Sequence, residues 1–531
     1  MRSVILISSL MRIFPNISYH YLTCIGALFI ALCLNNTFNA TFYQAAIESN
    51  FGYLNTYIQI LHAIILMLGL EILCVRVSVK YVLGFVLILS SICAYYMDTL
   101  GVMINEDIIQ SIMQTHLEQT LDMMNLGLIT YVVVFGIIPC VLLAGIKLTK
   151  PSFRRATKQK VIIISLLCIA ITLSYISLGK DIVFVFKAQK HLENMPNPIA
   201  PIRSSFLYYQ HSQESSFTPT LIAQDAHLAP NTPPQIVLFV IGESTRSANF
   251  SLNGYEKITN PYTSTLNVIS FKNFYSCGVV TAISVPCLLT HYTHKTYTHR
   301  NLSLYVNNIL DIAQSVGYEV WYLGNNGGKC VGGCDRNLTN ILLYPSNSLD
   351  EVMLPDIEHI IKNAQKKRQN TFIVAHQYGS HGASYAERYP KAFEHFTPVC
   401  KQKELSKCTY EEIVNAYDNS ILYNDYLLSQ MVGMLENVSM PSMLWYVSDH
   451  GESLGELGLY MHGGLSYTFA PKYQKHIPSI MWFSKSQQAE AAIAKTHIDS
   501  ELSHDNVFHT LLHILRIQTT AYDKTLDILQ P

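Results

Sequence analysis

Charge is what this chain has least of. Asp, Glu, Lys and Arg make up 14% of its 531 residues, against roughly 25% in a typical soluble protein. The formal net charge is −1. Nucleic acid wants a basic face, and none is on offer, so any anionic partner has to be met by a local patch. There is no internal repeat and no low-complexity tract. Hydrophobic residues reach 49%, and almost all of the excess lies before residue 180, while the remainder has the composition of an ordinary globular domain. The shortage of charge is therefore local. It marks a membrane protein with a soluble half.

Five apolar stretches in the first third, at about 19–38, 55–75, 81–97, 126–146 and 161–178, are near the ~20 residues needed to cross a bilayer. The first is long, starts some way in and lacks a small-x-small cleavage site, so it reads as a signal anchor rather than a cleaved leader. Basic residues set the orientation. Arg2 and Arg12 precede the first stretch, Arg76 and Lys80 join the second and third, and Lys147, Lys150, Arg154, Arg155, Lys158 and Lys160 join the fourth and fifth. The loops after the first and third stretches contain no Lys or Arg. By the positive-inside rule the N-terminus is cytoplasmic and everything after the fifth stretch is outside.

Cysteine usage agrees. Six of the twelve cysteines sit within the apolar stretches, and the other six fall in the soluble half as close pairs: Cys277 with Cys287, Cys330 with Cys334, and Cys400 with Cys408. Such short loops fit local disulfides in an oxidising compartment. A structural zinc is the competing reading of Cys330 and Cys334, but a closed site needs four ligands and no second pair of that type accompanies it. Residues 181–195 read either as an interfacial segment or as a continuation of the last helix. Pro196, Pro198 and Pro201 then open a bridging linker that runs to residue 234. The expected division is a membrane domain over 1–180, an interfacial segment and linker over 181–234, and a soluble domain over 235–531. In the last part, strands near 236–240, 319–323, 371–375 and 443–447 alternate with helices near 302–316, 354–366 and 410–435. That alternation predicts a mainly parallel α/β sheet with helices on both faces.

Two of these strands end in chemistry. The run Ser448-Asp449-His450-Gly451-Glu452-Ser453-Leu454-Gly455 follows the strand near 443–447, and Gly242-Glu243-Ser244 follows the strand near 236–240. Open α/β sheets hold their ligands at the carboxyl ends of strands. Two carboxylates and an imidazole converging there can bind one hard-to-intermediate cation. Between Cys277 and Cys287 stand Thr281 and Ser284. A disulfide would hold this loop on a fixed arc. Ligation to a cation would make an alkoxide available from its hydroxyl at neutral pH, suited to attack on a phosphate or sulfate ester.

Taken in order, Gly242-Glu243-Ser244, the Cys-bracketed Thr281, Ser380-His381-Gly382, Asn415-Ala416-Tyr417-Asp418-Asn419, the 448–455 run and His462-Gly463 resemble the Gram-negative phosphoethanolamine transferases. That family, within the alkaline phosphatase–sulfatase superfamily, includes the lipid A modifiers and the mobile colistin-resistance enzymes. The resemblance covers nearly the whole chain. It implies a five-helix membrane domain in the inner membrane with an alkaline phosphatase/sulfatase-like catalytic domain in the periplasm. It implies Thr281 as the nucleophile, with Glu243, Asp449, His450 and Thr281 itself around one tightly bound zinc. His381 and His462 match substrate-side histidines that bind phosphate oxygens, pass protons or hold a second zinc. Thr115 and Lys329 match positions that receive the head group and the donor phosphate. The donor implied is phosphatidylethanolamine, the acceptor lipid A or a related glycolipid, the outcome polymyxin resistance, and the working unit a monomer.

The chain departs from the family in places. Val279 and Val280 replace small polar residues, Leu288-Leu289-Thr290 replaces Met-Phe-Ser, and Ser111 and Gln119 stand where the family has Asn and Glu, with Glu118 one position away. The outer loop after the third stretch carries Asp98, Glu106, Asp107, Glu118 and Asp122, which either attract an ammonium or form a solvated helix face. Two rival functions differ in their marks. A phosphoglycerol transferase of the same superfamily would lack the three cysteine pairs and the Cys-Gly-x-x-Thr loop. A non-catalytic sensor or transporter would carry intramembrane ionisable residues, of which Glu71 is almost the only example.

Overall fold

A computed structural model of the chain describes residues 16–114, 123–213, 220–299, 301–328, 330–345 and 348–530. Thr115, Glu118, Gln119, Asp122 and Lys329 lie outside the described residues. The chain forms two compact units. One holds residues 1–106 and 124–207, the other 107–123 and 208–531.

In the first unit, among the described residues, four helices are long and apolar enough to cross a membrane: Leu54–Leu73, Val79–Leu100, Leu126–Gly145 and Phe153–Lys187. A fifth crossing exists if the bent pair Tyr19–Cys33 and Asn36–Glu48 counts as one span. The sequence predicts that span as a single helix to residue 38, but it breaks at Leu34-Asn35 with a 64° bend. Two asparagines satisfy the backbone groups freed there. Asn35 Nδ2 donates to the carbonyls of Ile30 and Asn197, and Asn197 Nδ2 donates to those of Leu34 and Ser90. The helix Phe153–Ala188 absorbs the first part of the expected interfacial segment. A second helix, Ile199–Gln213, occupies the expected linker. Pro198 precedes that helix and Pro201 lies in its first turn, where a missing N–H costs nothing, so these prolines start a helix rather than prevent one. None of the apolar window in Phe153–Lys187 is buried inside the protein, the condition of a helix that faces lipid. Glu71 is fully buried and satisfied by His20 Nδ1 at 2.9 Å and Thr23 Oγ1 at 2.5 Å.

The second unit is built on an eight-stranded sheet. In chain order its strands are β1 (Ile236–Gly242), β2 (Ile269–Tyr275), β3 (Glu319–Gly324), β4 (Asn340–Leu343), β5 (Thr371–His376), β6 (Ser442–Ser448), β7 (His476–Phe483) and β8 (Glu501–Ser503). The spatial order is β8-β2-β7-β6-β1-β5-β3-β4, and only β7 runs against its neighbours. Central strands buried on both faces read as unbroken apolar runs, and β1 is buried at every position. Its alternate side chains feed two cores. Val237, Phe239 and Ile241 pack on one face with Phe372 and Trp445, and Ile236, Leu238 and Val240 pack on the other with Ile373 and Leu444. Helices Leu354–Lys367 and Tyr410–Glu436 cover the second core. Thr409 starts the latter through a capping box with Glu412, a reciprocal bond that satisfies two otherwise orphaned N–H groups.

Candidate active site

Three adjacent parallel strands, β6, β1 and β5, deliver their carboxyl ends to one edge of the sheet, with Gly242 level with Ser448 and Ile241 level with His376. That register brings Glu243 beside Asp449 and His450. Ser244 adopts φ +57°, a conformation disfavoured for a side-chain-bearing residue and retained where surroundings over-determine it. Its N–H donates to Asp449 Oδ1 at 3.0 Å, its hydroxyl donates to Glu243 Oε1 at 2.7 Å, and Tyr417 Oη donates to its carbonyl at 2.6 Å. Tyr417 belongs to the Asn415–Asn419 motif. The next residue, Asp418, is buried and accepts hydrogen bonds from Asn249, Tyr255 and Lys257. This motif is the anchor of the turn after β1.

Thr281 is the first residue of a short helix, Thr281–Leu288, that the Cys277–Cys287 bond closes on its own loop. Its Oγ1 lies 3.1 Å from Glu243 Oε2 and 3.2 Å from His450 Nε2. The other hydroxyl of the loop, Ser284, is fully buried and accepts the Gly278 N–H at 3.1 Å. Thr281 is half-buried and faces the cluster. The loop is tied to β6 by His504, whose Nδ1 accepts the Cys277 N–H at 3.1 Å and whose Nε2 donates to the Ser448 carbonyl at 2.9 Å. Cys330 is joined to Cys334, and Cys400 to Cys408.

The donors fit a zinc ion by their spacing. A tetrahedron with bonds of about 2.0 Å has edges of about 3.3 Å. Thr281 Oγ1 to Glu243 Oε2, Thr281 Oγ1 to His450 Nε2, His450 Nε2 to Glu243 Oε1 and His450 Nε2 to Asp449 Oδ2 measure 3.1, 3.2, 3.4 and 3.3 Å, the Glu243 carboxylate turning one oxygen to each partner. Asp449 Oδ2 is buried with no hydrogen-bond partner, a cost that a cation removes. Burial holds the His450 pKa at about 4 and drives that of Asp449 upward, with the adjacent Glu243 adding to the rise. Burial also opposes ionisation of Glu243, but His381, His450 and His462 outweigh it and hold its pKa well below the ordinary value. A neutral imidazole between two buried carboxylates suits a divalent ion.

His381 and His462 complete the rim. His381 Nδ1 lies 3.1 Å from Glu243 Oε1, and its loop is held by the Ser380 N–H donating to the Glu243 carbonyl. Gly379, at φ +51°, passes so close that a Cβ would stand 2.7 Å from that carbonyl oxygen, so glycine is required. The His462 ring is 4.0 Å from that of His450 and 6.1 Å from that of His381. Its Nδ1 pairs with Glu452 Oε2 at 2.7 Å, which leaves Nε2 as the nitrogen for other partners. Glu452 is buried, accepts from Tyr385 Oη at 2.7 Å, and has its pKa pushed by burial to about 8. Next to His462, a Cβ on Gly463 would meet Val280 and Ile108. The outer-loop residue Ile108 and Val280, the residue before Thr281, thus both crowd Gly463.

Three neighbours escape a reading by motif. His376, at the end of β5, is buried and forms a donor cluster with Glu243 and Asp449, just as His450 and His462 do with Glu243. Asn326 Nδ2 contacts Glu243 Oε2 at 2.5 Å and His376 Nε2 at 3.0 Å. His376 could have been found by applying to 371–375 the strand-end argument used for β1 and β6. Asn326 and His504 carry no such signal. Asp98 is not free for an ammonium, because Thr37, Asn36 and Tyr131 already donate to it, and Ser111 Oγ donates to the Asp107 carbonyl.

The family model "Phosphoethanolamine transferase EptA/EptB" matches residues 62–213, and the model "Sulfatase" matches residues 235–517. The chain is 33% identical over 467 residues to phosphoethanolamine transferase EptA of Salmonella typhimurium, covering 84% of each chain. It is 31% identical over 516 residues to phosphatidylethanolamine transferase Mcr-1 of Escherichia coli, covering 92% of this chain and 94% of that one. The integral membrane lipooligosaccharide phosphoethanolamine transferase A from Neisseria meningitidis superimposes with a TM-score of 0.90 at 26% identity, over 97% of this chain and 99% of that one.

Proposed function

The chain belongs to the phosphoethanolamine transferase family, and from that premise we propose that it moves phosphoethanolamine from phosphatidylethanolamine to lipid A or a related envelope glycolipid. In this reading residues 1–180 hold five spans in the inner membrane, residues 181–234 bridge, and residues 235–531 form a periplasmic catalytic domain. The modified surface is less anionic and resists polymyxin.

Thr281 is the nucleophile. The supporting observation is its hydroxyl at the start of a disulfide-closed helix, 3.1 Å from Glu243 and 3.2 Å from His450. A zinc ion held by Glu243, Asp449, His450 and Thr281 would lower the pKa of that hydroxyl and polarise the phosphoryl group. Glu243 Oε2 is placed to accept the Thr281 proton. The Thr281 oxygen attacks phosphorus, the diacylglycerol oxygen leaves, and phosphoethanolamine is held as an ester on Thr281. His462, steadied by Glu452, and His381 stand where they can bind phosphoryl oxygens or give a proton to the departing oxygen. A second cation near His381 and His462 would share that task. In the second half, a hydroxyl or phosphate of the acceptor attacks and Thr281 recovers its proton.

Incubation with phosphatidylethanolamine should release diacylglycerol and leave a phosphoethanolamine adduct on the peptide spanning Cys277 and Cys287. Thr281→Ala should abolish adduct and transfer with little change in stability, since the side chain is half-exposed. Transfer by Thr281→Ala at near wild-type rate would move the nucleophile elsewhere, with Ser284 the first alternative.

A further inference from the structure

A cavity of about 500 Å³ lies in the membrane unit, where the connection between Leu54–Leu73 and Val79–Leu100 meets the end of Leu126–Gly145. Arg76 lines it from the connection, Lys80, Tyr81 and Gly84 from the start of Val79–Leu100, and Cys140, Leu143 and Ala144 from the end of Leu126–Gly145. Among the described residues, none that lines it is acidic. Lys80 Nζ reaches across to the Ala144 carbonyl at 2.9 Å. Arg76 Nε is buried without a hydrogen-bond partner. A buried guanidinium N–H without an acceptor is costly, and two cations with no counter-charge in one cavity call for an anion.

We propose that this cavity binds an anionic phospholipid of the phosphatidylglycerol class from the cytoplasmic leaflet, its phosphate on Arg76 and Lys80 and an acyl chain along Gly84, Cys140 and Leu143. The leaflet follows from charge. Arg76 and Lys80 belong, with the 147–160 connection, to the basic loops of the first third, which stay on the cytoplasmic side. Basic pockets between spans on that side recognise anionic head groups. The absence of a lining carboxylate selects among lipids, because an ethanolamine ammonium would face two like charges. The apolar wall selects lipid over a free phosphate ester. Tyr81, 80% exposed, has the aromatic ring and polar tip found at the membrane–water boundary. None of this depends on the catalytic reading.

Native mass spectrometry of the full chain in non-ionic detergent, titrated with phosphatidylglycerol and with phosphatidylethanolamine of identical acyl chains, tests the assignment. One phosphatidylglycerol should be retained about tenfold more tightly than phosphatidylethanolamine. Arg76→Gln and Lys80→Gln should each weaken it about fivefold. Gly84→Leu should weaken it as well, with both cations intact, because a Cβ there has only Cys140 Sγ nearby, at 3.6 Å, and the longer side chain fills the apolar wall. Glycerol 3-phosphate at equal concentration should displace nothing. Equal retention of the two lipids by wild-type protein would overturn the proposal. So would a double variant that still prefers phosphatidylglycerol, or full displacement by glycerol 3-phosphate, which would identify a free-anion site. The wild-type comparison decides the question even if a variant fails to insert.

Discussion

Asp449→Asn separates the two roles of the carboxylate pair, charge partner of a cation and liability without one. Glu243 and Asp449 are both fully buried, and their ligand oxygens lie within 4.8 Å of each other. At that separation two unit charges repel by about 3 kcal/mol at an effective dielectric of about 20. With a chelator present, the wild type must carry that repulsion or take up a proton. The folded-state pKa of Asp449 is raised, first by burial and then by Glu243. A carboxyl of this kind stabilises the fold fully below its ordinary pKa and loses that contribution as pH rises toward the folded value. Asparagine imitates the protonated form at every pH. Chelated Asp449→Asn should therefore be more stable than chelated wild type at pH 8, by up to about 3 kcal/mol, with the gap closing toward pH 4. With zinc the order should reverse, and the variant's zinc Kd should rise by about two decades, the same energy converted. All three tryptophans, Trp321, Trp445 and Trp482, lie in β3, β6 and β7, so tryptophan fluorescence during urea unfolding reports the catalytic unit alone in the full-length protein. Chelated variant and wild type unfolding alike at pH 8, or unchanged zinc affinity in a chelator competition, would refute the reasoning.

Glu452, whose pKa burial raises to about 8, should cost stability as pH climbs from its ordinary value toward 8, and Glu452→Gln should flatten that slope in unfolding curves between pH 5 and 8. His504→Leu leaves the Cys277 N–H and the Ser448 carbonyl unpaired, a loss of roughly 2–5 kcal/mol. His504→Gln, which can still accept and donate, should recover most of the stability and of the rate of Thr281 adduct formation. Mass mapping with an alkylating reagent should find Cys277, Cys287, Cys330, Cys334, Cys400 and Cys408 protected until reductant is added. Free thiols at Cys277 and Cys287 in native protein would contradict both the closed loop and the exported topology.

The central sheet was legible because its strands are buried on both faces. The runs in β1, β3, β5 and β6 have no polar interruption long enough to suggest anything else. The strands missed are different in kind. β2 alternates buried and exposed residues with Lys272 and Asn273 inside it, β4 is four residues long with no fully buried position, β8 is three residues long, and β7 begins with His476 and Pro478. Each is completed by neighbours rather than by its own pattern. In the membrane unit, hydropathy locates apolar length but not helix continuity. The bend after Cys33 depends on Asn197, 162 residues beyond Asn35, and no local window contains that partner.

The site divides along the same line. Glu243, Asp449 and His450 stand at the ends of recognisable strands, and Thr281 stands between two cysteines, so short-range pattern exposes them. Asn326, His376 and His504 act through pairings that exist only once the sheet order is fixed: His376 reaches Glu243 because β5 lies beside β1, Asn326 reaches both because β3 lies beside β5, and His504 reaches Ser448 because the chain returns from β8. Residues that set where a donor points are dispersed by topology, while the donors themselves cluster at strand ends. The motif therefore names the candidate reacting groups, and the fold supplies their orientation. Exchange of an orienting residue for a shape-matched hydrogen-bonding one should accordingly be tolerated at His504 and refused at Asp449, whose proposed role as a metal ligand rests on the charge itself.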